Sequence, residues 1–209
     1  MNILAIECSQ ASASLCLAIG GKIVFSESWV AERNHDSYLF PGLQTALATL
    51  GQAPLNTILV GAGPGSYGGI RVALAAAVGI AAVKGSAVVS LGSWDSLATH
   101  GEIIISDARR GGWTVRYPDG KITVKNSDEL KAELTDDTLV CTIEAEATLK
   151  KQGLKAALYS LIPTAQGLVS TWLNLNAERQ AELAAKPAEP IYVRPPHITE
   201  AKRKPWEIS

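Results

Sequence analysis

The sequence predicts an α/β chain whose mixed sheet is built twice over. Three observations carry this. Strand-like runs at residues 2–7, 13–19 and 22–30 open the chain, and Gly20-Gly21 between the last two is a hairpin signal. An apolar run at 56–61 then leads through a glycine-rich loop into a long apolar helix at 69–84 and a short strand at 87–90. Finally, the opening pattern returns. Ile103-Ile104-Ile105-Ser106-Asp107 echoes Ile3-Leu4-Ala5-Ile6-Glu7, and Gly120-Lys121-Ile122-Thr123-Val124 echoes Gly21-Lys22-Ile23-Val24-Phe25. Glu7 and Asp107 stand 100 positions apart and Gly21 and Gly120 stand 99 apart, so one offset serves both echoes and points to a duplicated unit.

Each element follows from local pattern. After the three opening strands, Asp36 or Ser37 is a candidate N-cap for a helix reaching Leu50. Its apolar residues Leu39, Leu43, Ala46, Leu47 and Leu50 recur at steps of three and four, which makes one apolar face. Gly51 ends it. The helix at 69–84 is apolar nearly all round, from Val72 to Val83, so it is buried on more than one side. Two readings stay open there. The helix is central to its own fold, or its small residues Ala73, Ala76, Ala77 and Ala81 admit a close-packed helix of a partner subunit. In the second half, helices are predicted near 127–134 and 164–185, and strands near 103–107, 120–124, 138–142 and 156–160. A short strand at Ile191-Tyr192-Val193 follows the linker Pro187-Ala188-Glu189-Pro190. The expected division is 1–100, 101–187 and a strand with basic tail at 188–209.

Composition narrows the function classes. The 209 residues are 47% hydrophobic and 19% charged with net charge −1, so no global field draws nucleic acid. Cys8, Cys16 and Cys141 are odd in number and lack Cys-x-x-Cys spacing, which argues against a disulfide framework or zinc site, and Cys16 reads as core. No basic n-region precedes the first apolar run, and the run from Val72 to Val83 is short for a bilayer span, so a cytoplasmic location is expected.

The chemical signals are sparse. Gly61-Ala62-Gly63-Pro64-Gly65-Ser66-Tyr67-Gly68-Gly69 sits where backbone N–H groups can crowd a helix N-terminus. It has neither the lysine of a Walker loop nor the downstream acid of a dinucleotide site. Two readings remain: a tight packing turn, or an anion contact through Gly63, Gly65 and Ser66 with Glu7 nearby. Glu7 and Asp107 each end a first strand, where such acids either hold a metal or water or simply face solvent. His35, His100 and His197 have no metal-ligand spacing, and no nucleophile–base set stands out. The tail residues Arg194, His197, Lys202, Arg203 and Lys204 with Trp206 suit either RNA phosphates or solvent.

Five stretches together resemble one family. They are Ile3-Leu4-Ala5-Ile6-Glu7, Glu32-Arg33-Asn34-His35, Gly63-Pro64-Gly65-Ser66-Tyr67-Gly68-Gly69-Ile70-Arg71, Asp107-Ala108-Arg109-Arg110-Gly111, and Ala188-Glu189-Pro190-Ile191-Tyr192-Val193-Arg194. In this order they are similar to the TsaB (YeaZ) family. The Gly-Pro-Gly-Ser-aromatic loop is the most specific of them, and residues 127–180 match only loosely. The resemblance implies an actin-like (ASKHA) duplicated ribonuclease-H-like fold with a reduced second domain. It implies a non-catalytic subunit of the bacterial machinery that forms threonylcarbamoyladenosine next to the tRNA anticodon. The implied partners are the catalytic subunit TsaD, which carries a His-x-x-x-His metal motif, and the ATPase TsaE. A homodimer is implied when the chain is alone, tRNA contact only through the complex, and no membrane. No cofactor is implied beyond weak ATP and magnesium contact through the complex.

The resemblance also implies pairing through the first two helices. The expected surface is Leu39, Leu43, Leu47, Ala73, Ala76, Ala77 and Ile80, and a charge at Ala77 is expected to abolish pairing while leaving the fold intact. Two positions depart from the family: Glu7-Cys8 replaces the usual Asp-Thr, and Gly68 replaces a threonine. Both changes remove groups that would meet a phosphate or metal. The alternative function is an actin-like ATP-binding hydrolase or kinase that uses Glu7 and the glycine loop.

Overall fold

The computed structural model describes residues 1–30, 35–97, 101–108, 112–143, 153 and 156–193. The motif residues 32–34 and 109–111 and the tail from 194 lie outside them.

The first half forms strands β1 (Asn2–Glu7), β2 (Ser12–Ile19) and β3 (Lys22–Val30), helix α1 (Asp36–Leu50), β4 (Thr57–Gly61), α2 (Tyr67–Lys84) and β5 (Ala87–Leu91). The sheet order is β3-β2-β1-β4-β5. β1 pairs antiparallel with β2 and parallel with β4, and β5 continues the parallel side. A one-turn 3-10 helix at Ser93–Ser96 follows.

The second half repeats this topology. It comprises β6 (Ile103–Asp107), β7 (Gly112–Arg116), β8 (Ile122–Asn126), α3 (Ser127–Glu133), β9 (Leu139–Thr142) and β10 (Ala157–Ser160). The sheet order is β8-β7-β6-β9-β10, with antiparallel and parallel pairings in the same places. Glu7 and Asp107 thus close equivalent strands. Residues 143–156 join β9 to β10 where residues 62–86, with α2, join β4 to β5. Strand β7 is absent from the sequence prediction. Trp113-Thr114-Val115-Arg116 alternates apolar and polar residues over only four positions, too short a run to stand out as a strand.

The first sheet is covered on both faces. Successive β1 side chains alternate between them, as strand geometry requires. Leu4 and Ile6 face α1 and α2 in a core with Leu39, Leu43, Ile70, Ala73 and Ala77. Ile3 and Ala5 face the opposite side, where α4 (Ala165–Asn174) lays down Ala165, Leu168, Val169 and Trp172. The second half of the chain therefore completes the first half's core. The Ala165 N–H donates to Ser14 Oγ at 2.8 Å across that contact. The predicted helix at 164–185 is two helices, α4 and α5 (Ala177–Ala184). Asn176 breaks it by accepting the Arg179 N–H at 2.8 Å, an N-cap that competes with continued helix.

Two further details differ from expectation. His35 occupies the N-cap position of α1 and makes no side-chain cap, so neither Asp36 nor Ser37 caps it. Helix α2 is capped by Ser66 and ended by Gly85 in the left-handed region (φ 67°), but it is buried along one side only. Its 18 residues, of mean hydropathy 1.4, make it the one helix among the described residues long and apolar enough to cross a bilayer. Ile70, Ala73, Leu74 and Ala77 nevertheless tie it into the core beneath β1 and β4. Cys8, Cys16 and Cys141 are buried free thiols, and burial pushes the Cys16 thiol up to about 12.

Candidate functional site

The glycine loop between β4 and α2 is pressed onto the turn that follows β1. A methyl group at Gly61 would overlap the Glu7 carboxylate, one at Gly65 would overlap the Ser9 carbonyl, and one at Gly69 the Cys8 carbonyl. Gly63 holds φ 96°, where side chains are strained. The loop's N–H groups are largely committed within the chain. Gly63 N donates to Ser93 Oγ at 3.0 Å, Ser66 N to Ser9 O at 2.6 Å, and Gly69 N to Ser66 Oγ at 3.3 Å. These bonds hold β1, the loop and the 3-10 helix together.

Glu7 lies beneath this assembly with no exposed surface. Its Oε1 accepts the Ser9 N–H at 2.8 Å. Burial raises its carboxyl above the ordinary range, and hydrogen bonds from Ser9 and Ser93 offset this only in part.

The glycine loop, the end of β6 and the C-terminal segment surround a cleft of about 760 Å³ between the two sheets. Gly65 and Ser66 line it, whereas Glu7 and Gly63 do not. Asp107 faces the cleft from β6, and it is the only acidic or basic side chain among the described lining residues, beside His35. Burial lowers the His35 pKa, which favours the neutral ring, although Asp36 pulls the other way. Of the four residues expected at an anion contact, Gly65 and Ser66 line the cleft, whereas Glu7 and Gly63 are buried away from it.

The C-terminal segment is a wall of this cleft. Ile191 N donates to Ala62 O at 2.8 Å, and the Tyr192 ring sits 5.4 Å from Tyr67. Trp94 and Thr114 complete the lining. None of these five lining residues was singled out as a site residue from sequence, though Tyr67, Ile191 and Tyr192 stand inside the family-like stretches.

A second feature lies at the other end of α1 and α2. Leu47, Ala76, Gly79, Ile80, Val83 and Lys84 form an apolar groove of about 300 Å³. Val83 of this groove is 84% exposed, and Val78 beside it is 55% exposed. This face includes only part of the expected partner surface. Leu47, Ala76 and Ile80 are at the groove, but Leu39, Leu43, Ala73 and Ala77 are buried in the chain's own core. Helical periodicity marks a buried face without saying what buries it, and here the sheet does so. A charge at Ala77, which is 0% exposed, would disrupt the fold before it disrupted pairing. Among the described residues, no cluster of histidine, cysteine and acidic side chains could hold a metal.

A family model described as TsaD, tRNA N6-adenosine threonylcarbamoyltransferase, matches residues 27–120. An uncharacterized protein of Mycobacterium tuberculosis is 30% identical over 181 residues, covering 80% of this chain and 78% of the relative. The Bacillus subtilis tRNA threonylcarbamoyladenosine biosynthesis protein TsaB is 29% identical over 119 residues, covering 53% of this chain and 52% of that protein. Among solved structures, a Pseudomonas aeruginosa protein described as similar to the peptidase YeaZ superposes with a TM-score of 0.71 at 22% identity, over 92% of this chain and 99% of that one. That likeness shows the fold.

Proposed function

Because the chain belongs to the TsaB (YeaZ) family, whose members take part in forming tRNA threonylcarbamoyladenosine, we propose that it acts as the non-catalytic partner subunit of a TsaD-type threonylcarbamoyltransferase. The observation that carries this reading is the exposed apolar face of α2. A lone helix in water would not leave Val78 and Val83 so open beside a groove without cost, and such patches mark partner surfaces. Ala75, Ala76, Gly79 and Ala82 lie along or beside the same face. Side chains this small let a second helix approach to about 8–10 Å between axes, so that packing is dense and the contact specific.

The non-catalytic part of the reading is supported by the state of Glu7. Glu7 stands where an actin-like enzyme would need an acid open to its cleft, yet it touches Ser9 and Gly61 instead. We further propose that a TsaE-type ATPase joins the assembly in the cytoplasm, and that two copies of the chain meet through the same groove when TsaD is absent. Transfer assays with tRNA and a threonylcarbamoyl-adenylate donor test the function. The expected result is no transfer by this chain alone and strong stimulation when it is added to the TsaD-type subunit. Transfer by the chain alone, or no effect on the TsaD-type subunit, contradicts the reading.

A further inference from the structure

We propose that Lys84 and Arg71 make the α1–α2 face selective for a partner helix that carries carboxylates, over a second copy of this chain. The inference rests on the pairing reading above and names the chemistry of that partner. The face is nearly free of charge: the ionisable charges on the two helices are Asp36 on α1 and Arg71 and Lys84 on α2. Lys84 stands in the last turn of α2 and lines the apolar groove itself. Arg71 opens the outward stripe of the same helix. Arg71, Ala75, Val78 and Ala82 recur at steps of four, three and four, and all four are exposed. The Arg71 guanidinium lies 5.1 Å from the Tyr67 ring centroid, and its Nη1 donates to the Tyr67 hydroxyl at 3.2 Å. Neither cation pairs with a carboxylate among the described residues.

A helix that fills the groove takes water away from Lys84. A desolvated ammonium is costly unless a carboxylate meets it, and the helix C-terminus offers only a partial negative charge. Arg71 is held in place by Tyr67, so little freedom is lost when a carboxylate docks on it. The two cations are thirteen residues apart on α2, about 20 Å along its axis. The matching partner has small apolar residues in the middle and a carboxylate towards each end. A second copy of the chain lacks this pattern. A two-fold contact uses the same patch on both sides, so it brings two Lys84 ammonium groups to one groove. Asp36 opens α1, whereas the groove meets α1 at Leu47, near its other end. The apolar surface therefore fits either occupant, and the charges choose the unlike one.

Lys84→Gln separates the two contacts, because it removes the ammonium and keeps a good helix former. Calorimetry with the TsaD-type subunit should show binding about tenfold weaker than for the parent chain. Sedimentation equilibrium of the chain alone should show self-association unchanged or tighter, since a repulsion has gone. Arg71→Gln supplies a second variant that should also weaken binding of the TsaD-type subunit, and circular dichroism checks that each variant folds. Added salt should weaken the parent's binding more than that of the double variant. Unchanged affinity for the TsaD-type subunit in both folded variants would overturn the proposal, because the side chains would then reach past the interface into water. Equal weakening of both contacts by Lys84→Gln would overturn it too, since that is the mark of a merely structural role. Failure of the parent chain to bind the TsaD-type subunit would overturn the pairing reading and this inference with it, whereas the other two results leave pairing intact.

Discussion

At the scale of single residues, burial separates side chains that the sequence leaves equivalent. Glu7 and Asp107 end matching strands, yet one is sealed under the glycine loop and the other lines the cleft. The sealed acid has a folded-state pKa above its unfolded value. Its contribution to stability is therefore complete below the unfolded pKa, near 4.5, and is lost as pH rises through the folded value. Glu7→Gln keeps the acceptor for the Ser9 N–H and removes the titration. Thermal melts should show the variant gaining on the parent protein between acid and neutral pH; a parallel pair of curves would contradict the burial argument. Ala77 and Gly79 make a similar contrast two positions apart. Ala77→Glu places an unpaired charge in the core and should cost at least ~3 kcal/mol in a denaturant titration. At Gly79 a side chain meets nothing within 4 Å, so Gly79→Arg should raise helix stability by about 0.5–1 kcal/mol.

Individual elements were legible where pattern and environment agree. The three opening strands, both long helices of the first half and the parallel strands follow from apolar runs and glycine punctuation. Strand β7 and the break at Asn176 did not, because an apolar–polar alternation only four residues long is too short to stand out and a mid-helix asparagine reads as an ordinary polar position. The partner face was half legible. Of the expected partner surface, Leu47, Ala76 and Ile80 lie at the groove, but apolar spacing alone did not separate them from Leu39, Leu43, Ala73 and Ala77, which the chain's own core buries. The cleft residues Trp94 and Thr114 were illegible, since the loop and strand that carry them meet the glycine loop only in three dimensions.

The two repeated units are also joined by an element-scale contact. Arg116 on β7 directs Nε and Nη2 to Asp95 Oδ1 of the 3-10 helix, at 3.1 and 2.7 Å. The arginine side chain is only 10% exposed. Asp95→Ala would leave that charge without its carboxylate and should cost ~1–3 kcal/mol by chemical denaturation. An unchanged midpoint would mean that water replaces the carboxylate freely.

The molecule as a whole is a duplicated α/β fold in which chain from the second half closes the first half's core, while one face of α2 stays apolar and open. On this account the fold supplies a rigid platform and the α1–α2 groove supplies the function. The affinity of the chain for a TsaD-type subunit, measured by calorimetry for the parent protein and for Gly79→Arg, tests this most directly. The account predicts saturable binding that falls by at least about a hundredfold in Gly79→Arg, with a melting temperature equal to or above the parent's. Undiminished affinity in a folded Gly79→Arg chain would contradict it.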